Sequence, residues 1–124
     1  MRSLLEISTD LVGNTAVVHA MGEVDMSSAP TLRTELFKAC DEVSESGVLT
    51  VDLTGVVFFG SSGVGALLQT YRRCRAAGIS LRTVAASGAA LRTLQICGVV
   101  DMLDVRDSLA SATRAQAGTG TPRS

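Results

Sequence analysis

The sequence predicts an α/β domain built on a mixed sheet, with an antiparallel hairpin at its start, parallel strands after it, and helices packed against it. Short apolar segments of strand period alternate with longer segments of helical period, the order that makes successive strands parallel. The first two strand segments are instead separated only by Asp10 to Asn14, where Gly13-Asn14 marks a tight reversal and hence a hairpin. With 124 residues the chain is one domain, large enough for a single core without staples.

Leu4 to Ser8 and Thr15 to Met21 read as the two hairpin strands. Gly22 to Asp25 then leads into a helix capped by Ser27 or Ser28, with Pro30 tolerated in its first turn. Leu32, Leu36, Cys40 and Val43 form its buried stripe, Arg33, Glu35, Lys38 and Glu42 face water, and Gly47 ends it. Val48 to Leu53 is an apolar run interrupted by Thr50 and Asp52, the pattern of a strand inside a sheet. After a short loop, Val64, Leu67, Leu68, Tyr71 and Cys74 follow helical spacing, so a helix runs from Ser61 to Ala77 with Gly78 as its stop. Ser80 to Val84 is the next strand. Ser87 caps a helix to Cys97, with Leu91 and Leu94 inward and Gly98 as its stop. Met102 to Val105 adds a short edge segment, and Asp107 caps a last helix with Leu109 inward. The domain is expected over residues 1–116. From Ala117 the chain turns to Gly, Thr, Pro and Ser, which predicts a disordered tail over 117–124.

Composition narrows the function. Formal net charge is −1 with both signs scattered, no basic stripe appears and aromatic residues are few, so nucleic acid is not an expected partner. No apolar run approaches the roughly 20 residues needed to cross a bilayer, and the N-terminus lacks the apolar stretch of a signal peptide. A cytoplasmic location follows as the simplest expectation. Cys40, Cys74 and Cys97 lack CxxC spacing and each falls on an apolar helix face, which favours core packing over a disulfide framework or a redox sensor. His19 stands alone in a strand with no second ligand nearby in sequence, so no metal site is expected.

The chemistry concentrates at Ser61 and Ser62. They precede a helix, where free backbone N–H groups and the positive end of the dipole point outward. A hydroxyl there can cap the helix or accept a phosphate. Self-contained hydrolase chemistry has no support, because the one histidine lies in a strand interior and no base stands beside the serines. The spacing Gly60-x-x-Gly63-x-Gly65 is no dinucleotide fingerprint and lacks a phosphate-loop lysine, so no nucleotide is expected to be held. In sheets of this kind the working surface lies beyond the C-terminal strand ends. Asp25, Asp52 to Gly55, Ser61, Ser62 and Ser87 are expected just past such ends, sharing one face.

Gly22-Glu-Val-Asp25, Val51-Asp-Leu-Thr-Gly55 and Ser61-Ser-Gly-Val-Gly65 occur in an order that resembles STAS domains, specifically bacterial anti-sigma factor antagonists. The resemblance runs from Leu4 to Val105. It implies a non-enzymatic partner for an anti-sigma factor of the histidine-kinase ATPase type, which brings its own ATP and magnesium and phosphorylates Ser62. Ser61, the serine before it, is the lesser candidate. Binding releases a sigma factor, phosphorylation ends it, and a serine phosphatase resets the switch; the chain itself is expected as a monomer or weak dimer. Asp25, Thr54, Gly60, Ser61, Ser62, Gly63, Gly65 and Ser87 are the expected partner-binding positions. Asp52 and Gly55 are expected in a structural loop. Gly63 and Gly65 are read as allowing close backbone approach. One position departs from the family pattern: aspartate usually precedes the serine pair, and here Gly60 stands there, read as permitting a positive φ. An alternative within the same fold is a scaffold subunit of a stress-signalling complex or a soluble component of a transport system.

Overall fold

The computed structural model describes residues 4–86 and 88–109. Five strands and three helices follow in the order β1 (Leu5–Val12), β2 (Thr15–Val24), α1 (Ala29–Asp41), β3 (Val48–Phe59), α2 (Ser61–Ala76), β4 (Ser80–Val84), α3 (Gly88–Ile96) and β5 (Val105–Arg106). The strands form one sheet in the order β1-β2-β3-β4-β5, antiparallel at β1-β2 and parallel thereafter. The expected mixed sheet with its opening hairpin is therefore present. Ser87 and residues 110–124 lie outside the described residues, and with them the expected cap of α3, most of the expected last helix and the expected tail.

Register explains the core. Ala16 pairs with Leu49 and Leu49 with Leu81, while Val18 pairs with Val51 and Val51 with Thr83, so these side chains share one sheet face. All are buried, and α1 and α2 close over them with Leu32, Leu36, Leu67 and Cys74. Cys40 and Cys74 meet across the two helices at 3.7 Å between Sγ atoms. Burial, and then the neighbouring Cys40, push the Cys74 thiol up to about 12, which leaves it an inert core group. Cys97 departs from the expectation: it follows the last turn of α3 and is exposed.

Several boundaries move. β1 continues past Ser8 because its ladder with β2 runs unbroken from Leu5–Gly22 to Val12–Thr15; the polar residues there are exposed rather than chain-breaking. α1 stops at Asp41 with Glu42 as C-cap, well before Gly47. Asn14 of the hairpin turn holds the following loop, accepting from Ser44 N at 2.7 Å and donating to the Ser44 carbonyl at 3.3 Å. The largest correction is at β3, which does not end at Leu53. β2 supplies a ladder out to Val24–Phe59, and two register shifts, between His19 and Met21 and between Gly22 and Glu23, absorb the irregularity. Gly22 makes this passage feasible: it has φ 109, and a Cβ would collide with the Leu4 carbonyl oxygen.

Candidate functional site

The end of β3 delivers the chain to α2 in a fixed pose. Gly60 N donates to the Val24 carbonyl at 2.9 Å, tying the helix mouth to the end of β2. Thr93 of α3 donates its hydroxyl to the Phe59 carbonyl at 2.7 Å, holding the same point from the other side. Sequence reasoning missed Thr93. A threonine on a helix with no local role is its only trace, and the contact spans 34 positions in sequence.

Gly60 is the N-cap of α2, with φ −89 and ψ 179. That backbone is extended, so the expected positive φ is absent and any residue fits there. A Cβ would meet Phe58 ring atoms no closer than 3.5 Å. Ser61 and Ser62 occupy the first two helical positions, and among the described residues neither hydroxyl makes a hydrogen bond. The capping role is therefore not filled by either serine; an N-cap hydroxyl sits on the residue before the helix and accepts from N–H groups of the first turn, and that residue is Gly60. Gly63 meets its expectation: a Cβ would lie 2.7 Å from Phe59 ring atoms. Gly65 does not, since a Cβ there would find nothing within 4 Å.

Asp25 forms the other wall. Its Oδ1 accepts from Ser27 N at 2.9 Å, Ser28 N at 3.0 Å and Ser27 Oγ at 2.8 Å, an Asx-type turn that opens α1. These bonds, the Ser27 hydroxyl first and then the Ser28 N–H, hold its carboxyl below the usual 3.8. Ser28 is the N-cap by position, yet its side chain makes no cap bond: Oγ accepts from Asp25 N at 2.9 Å and donates to the Glu23 carbonyl at 2.9 Å. The side-chain cap expected at the start of α1 is absent at Ser28, and Asp25 instead orders the turn that leads into the helix.

Asp52, Thr54 and Gly55 separate from the serines. The expected structural loop at Asp52 and Gly55 is a strand, because β2 continues to pair with it. At about 3.3 Å per residue, the run from Asp52 to Phe59 puts Asp52 on the order of 20 Å from the helix mouth. There its Oδ1 accepts from Thr54 N at 3.0 Å and Thr54 Oγ1 at 2.7 Å, while Oδ2 faces His19 Nδ1 at 2.8 Å. Asp10 Oδ2 stands 3.2 Å from His19 Nε2. The His19–Asp52 hydrogen bond raises the imidazole above the usual 6.5; burial opposes it and Asp10 adds to it. Burial pushes the Asp52 carboxyl up, but the Thr54 and His19 hydrogen bonds outweigh it and leave it lowered from 3.8. No local pattern marks this trio: parallel register sets His19 beside Asp52, and the antiparallel β1–β2 ladder brings Asp10 alongside. Among the described residues no group of three or more His, Cys, Asp or Glu side chains is placed to hold a metal ion, and no helix is long and apolar enough to cross a membrane.

Arg73, in the last turn of α2, donates to Asp41 at 3.1 and 3.2 Å and lies 4.6 Å over the Phe37 ring. Gln69 lines a groove between α1 and α2 together with Ser62 and Arg33.

A five-stranded mixed sheet that presents a serine pair at the mouth of its second helix defines a class, and the family profile described as "STAS domain" matches residues 6–112. The chain belongs to the STAS domain family. Among curated proteins it is similar to the anti-sigma-F factor antagonist RsfA of Mycobacterium tuberculosis strain H37Rv, 31% identical over 102 residues that cover 82% of this chain and 80% of that protein. It also resembles the anti-sigma-B factor antagonist of Bacillus subtilis strain 168, 29% identical over 92 residues, 74% of this chain and 82% of that one. Among solved structures, an anti-sigma factor antagonist from Mycobacterium paratuberculosis superposes with a TM-score of 0.79 at 26% identity, covering 91% of this chain and 94% of that chain.

Proposed function

We propose that this protein is an anti-sigma factor antagonist, a non-enzymatic binding module that engages an ATPase-type anti-sigma kinase and thereby frees a sigma factor. The observation that carries the reading is the Ser62 hydroxyl, held at a helix mouth fixed by Val24 and Thr93 and committed to no hydrogen bond among the described residues. It is available to a partner. His19, the one histidine, is bound between Asp10 and Asp52 on the sheet, so any base for phosphoryl transfer comes from the kinase with its ATP and magnesium. The transfer joins the γ-phosphorus to Ser62 Oγ, releases ADP and sends the hydroxyl proton to that base.

Phosphoserine carries about −1.5 to −2 charges at neutral pH. The helix N-terminus offsets this within the domain by roughly 0.3–1 kcal/mol, so the fold survives. Burying that charge unpaired in an interface costs about 3–5 kcal/mol, a loss of binding on the order of a hundred- to a few-thousand-fold. Asp25 and the α2 mouth from Gly60 to Gly65 form the contact surface; Ser87 belongs to it as a proposal, and Thr54, distant on the sheet, has the weakest claim. A serine phosphatase restores the binding form.

The test is incubation with the host's candidate anti-sigma kinases and Mg-ATP, followed by peptide mass spectrometry. Phosphate on Ser62 that is absent from Ser62→Ala supports the switch. A kinase that binds tightly and leaves Ser62 unmodified would remove phosphorylation from the account while keeping antagonism.

A further inference from the structure

The first turns of α1 and α2 leave an open groove of about 270 Å³ between them, lined by Ser62, Gly65 and Gln69 of α2 and by Pro30 and Arg33 of α1, among others. Arg33 is the one charged side chain among the residues that line it, and no acid does. It is half-buried and makes no ion pair among the described residues, whereas its neighbours Lys38 and Arg73 are matched to Glu35 and Asp41. Gly65 adds an independent sign that the groove is kept open. It lies one turn beyond Ser62 with no positive φ and with nothing within 4 Å of a Cβ, so neither backbone nor packing demands glycine. A glycine inside a helix lowers its stability; here its effect is to leave the groove floor without a side chain.

We propose that Arg33 is the internal partner of a phosphate on Ser62. The guanidinium fork matches phosphate oxygens bidentately and stays charged at every accessible pH. Paired with it, the phosphate turns into the groove instead of standing out in solvent, so modification fills the space between α1 and α2 as well as adding charge. Arg33 offsets part of the phosphate's about −1.5 to −2 charges, so the switch has two parts, the negative charge that remains and an occupied groove. This inference rests on Ser62 being the phosphorylated residue.

Phosphoserine is installed at position 62 during translation, which makes the measurement independent of any kinase, and the phosphate is titrated by ³¹P NMR. Removing a paired cation from a partly exposed site should raise the phosphate midpoint in Arg33→Gln by about 0.5 unit. Arg33→Lys should recover part of the shift, and Arg72→Gln, exposed on α2 outside the groove, should leave the midpoint where it was. Gly65→Leu, which fills the groove with Arg33 intact, should reproduce the Arg33→Gln shift. An unmoved midpoint in Arg33→Gln, with the variant folded by its thermal transition, overturns the pairing, and so does an equal shift in Arg72→Gln. Failure of every candidate kinase to label Ser62 overturns the regulatory reading separately, because the titration does not depend on it.

Discussion

Asp52 and Ser62 stand ten residues apart in sequence and take part in unrelated chemistry. Asp52 works through His19. The imidazole is raised, so its contribution to stability is complete below the unfolded value near 6.5 and is lost as pH rises through the folded value. The carboxyl is lowered, so its contribution is present above 3.8 and is lost as pH falls through the folded value. Both act between those limits, and thermal stability should peak there and decline on each side. An NMR titration should find His19 above its usual value and find Asp52→Asn returning it downward; an unchanged His19 in that variant would break the link. At the helix mouth, Ser62→Ala should change stability by only about 0.3 kcal/mol, against the ~1 kcal/mol lost with a working cap, as read from chemical denaturation. Gly60→Asp should fold normally and gain about 0.5 kcal/mol from capping and the dipole, since φ −89 suits any residue.

At the scale of elements, the mouth of α2 is set by its neighbours more than by its own sequence. Thr93→Val removes the bond to the Phe59 carbonyl and should cost about 1 kcal/mol, with faster amide exchange concentrated at residues 60–63; uniform exchange across the chain would contradict the local role. The two helix glycines should respond oppositely. Gly63→Ala presses on the Phe59 ring and should destabilise by about 1–3 kcal/mol. Gly65→Ala meets open space and should stabilise by about 0.5–1 kcal/mol. Urea melts of the two variants decide it. The contrast was not legible in the sequence, where both glycines follow the serines in the same apolar run. What separates them is the rotation of the helix, which turns Gly63 to the β3 end and Gly65 to the groove.

At the scale of the molecule, the thiols report the packing. Cys40 and Cys74 are buried between α1 and α2, and Cys97 is exposed. A maleimide should label Cys97 rapidly in the native protein and reach the other two only through opening of the core; early labelling of Cys74 would mean that α1 and α2 part more easily than their packing suggests. Strand and helix order, the hairpin at Gly13-Asn14 and the burial of Leu32, Leu36, Leu67 and Leu94 were all legible along the chain. They depend on period and on turn residues, which are properties of short stretches. The position of the serine pair at the start of α2 was legible for the same reason. The length of β3, the His19–Asp52 pair, the Thr93 clasp and the groove holding Arg33 beside Ser62 were decided by the tertiary structure alone. Each requires two segments distant in sequence to meet at a definite register, and a local pattern carries no record of which segment will lie next to it.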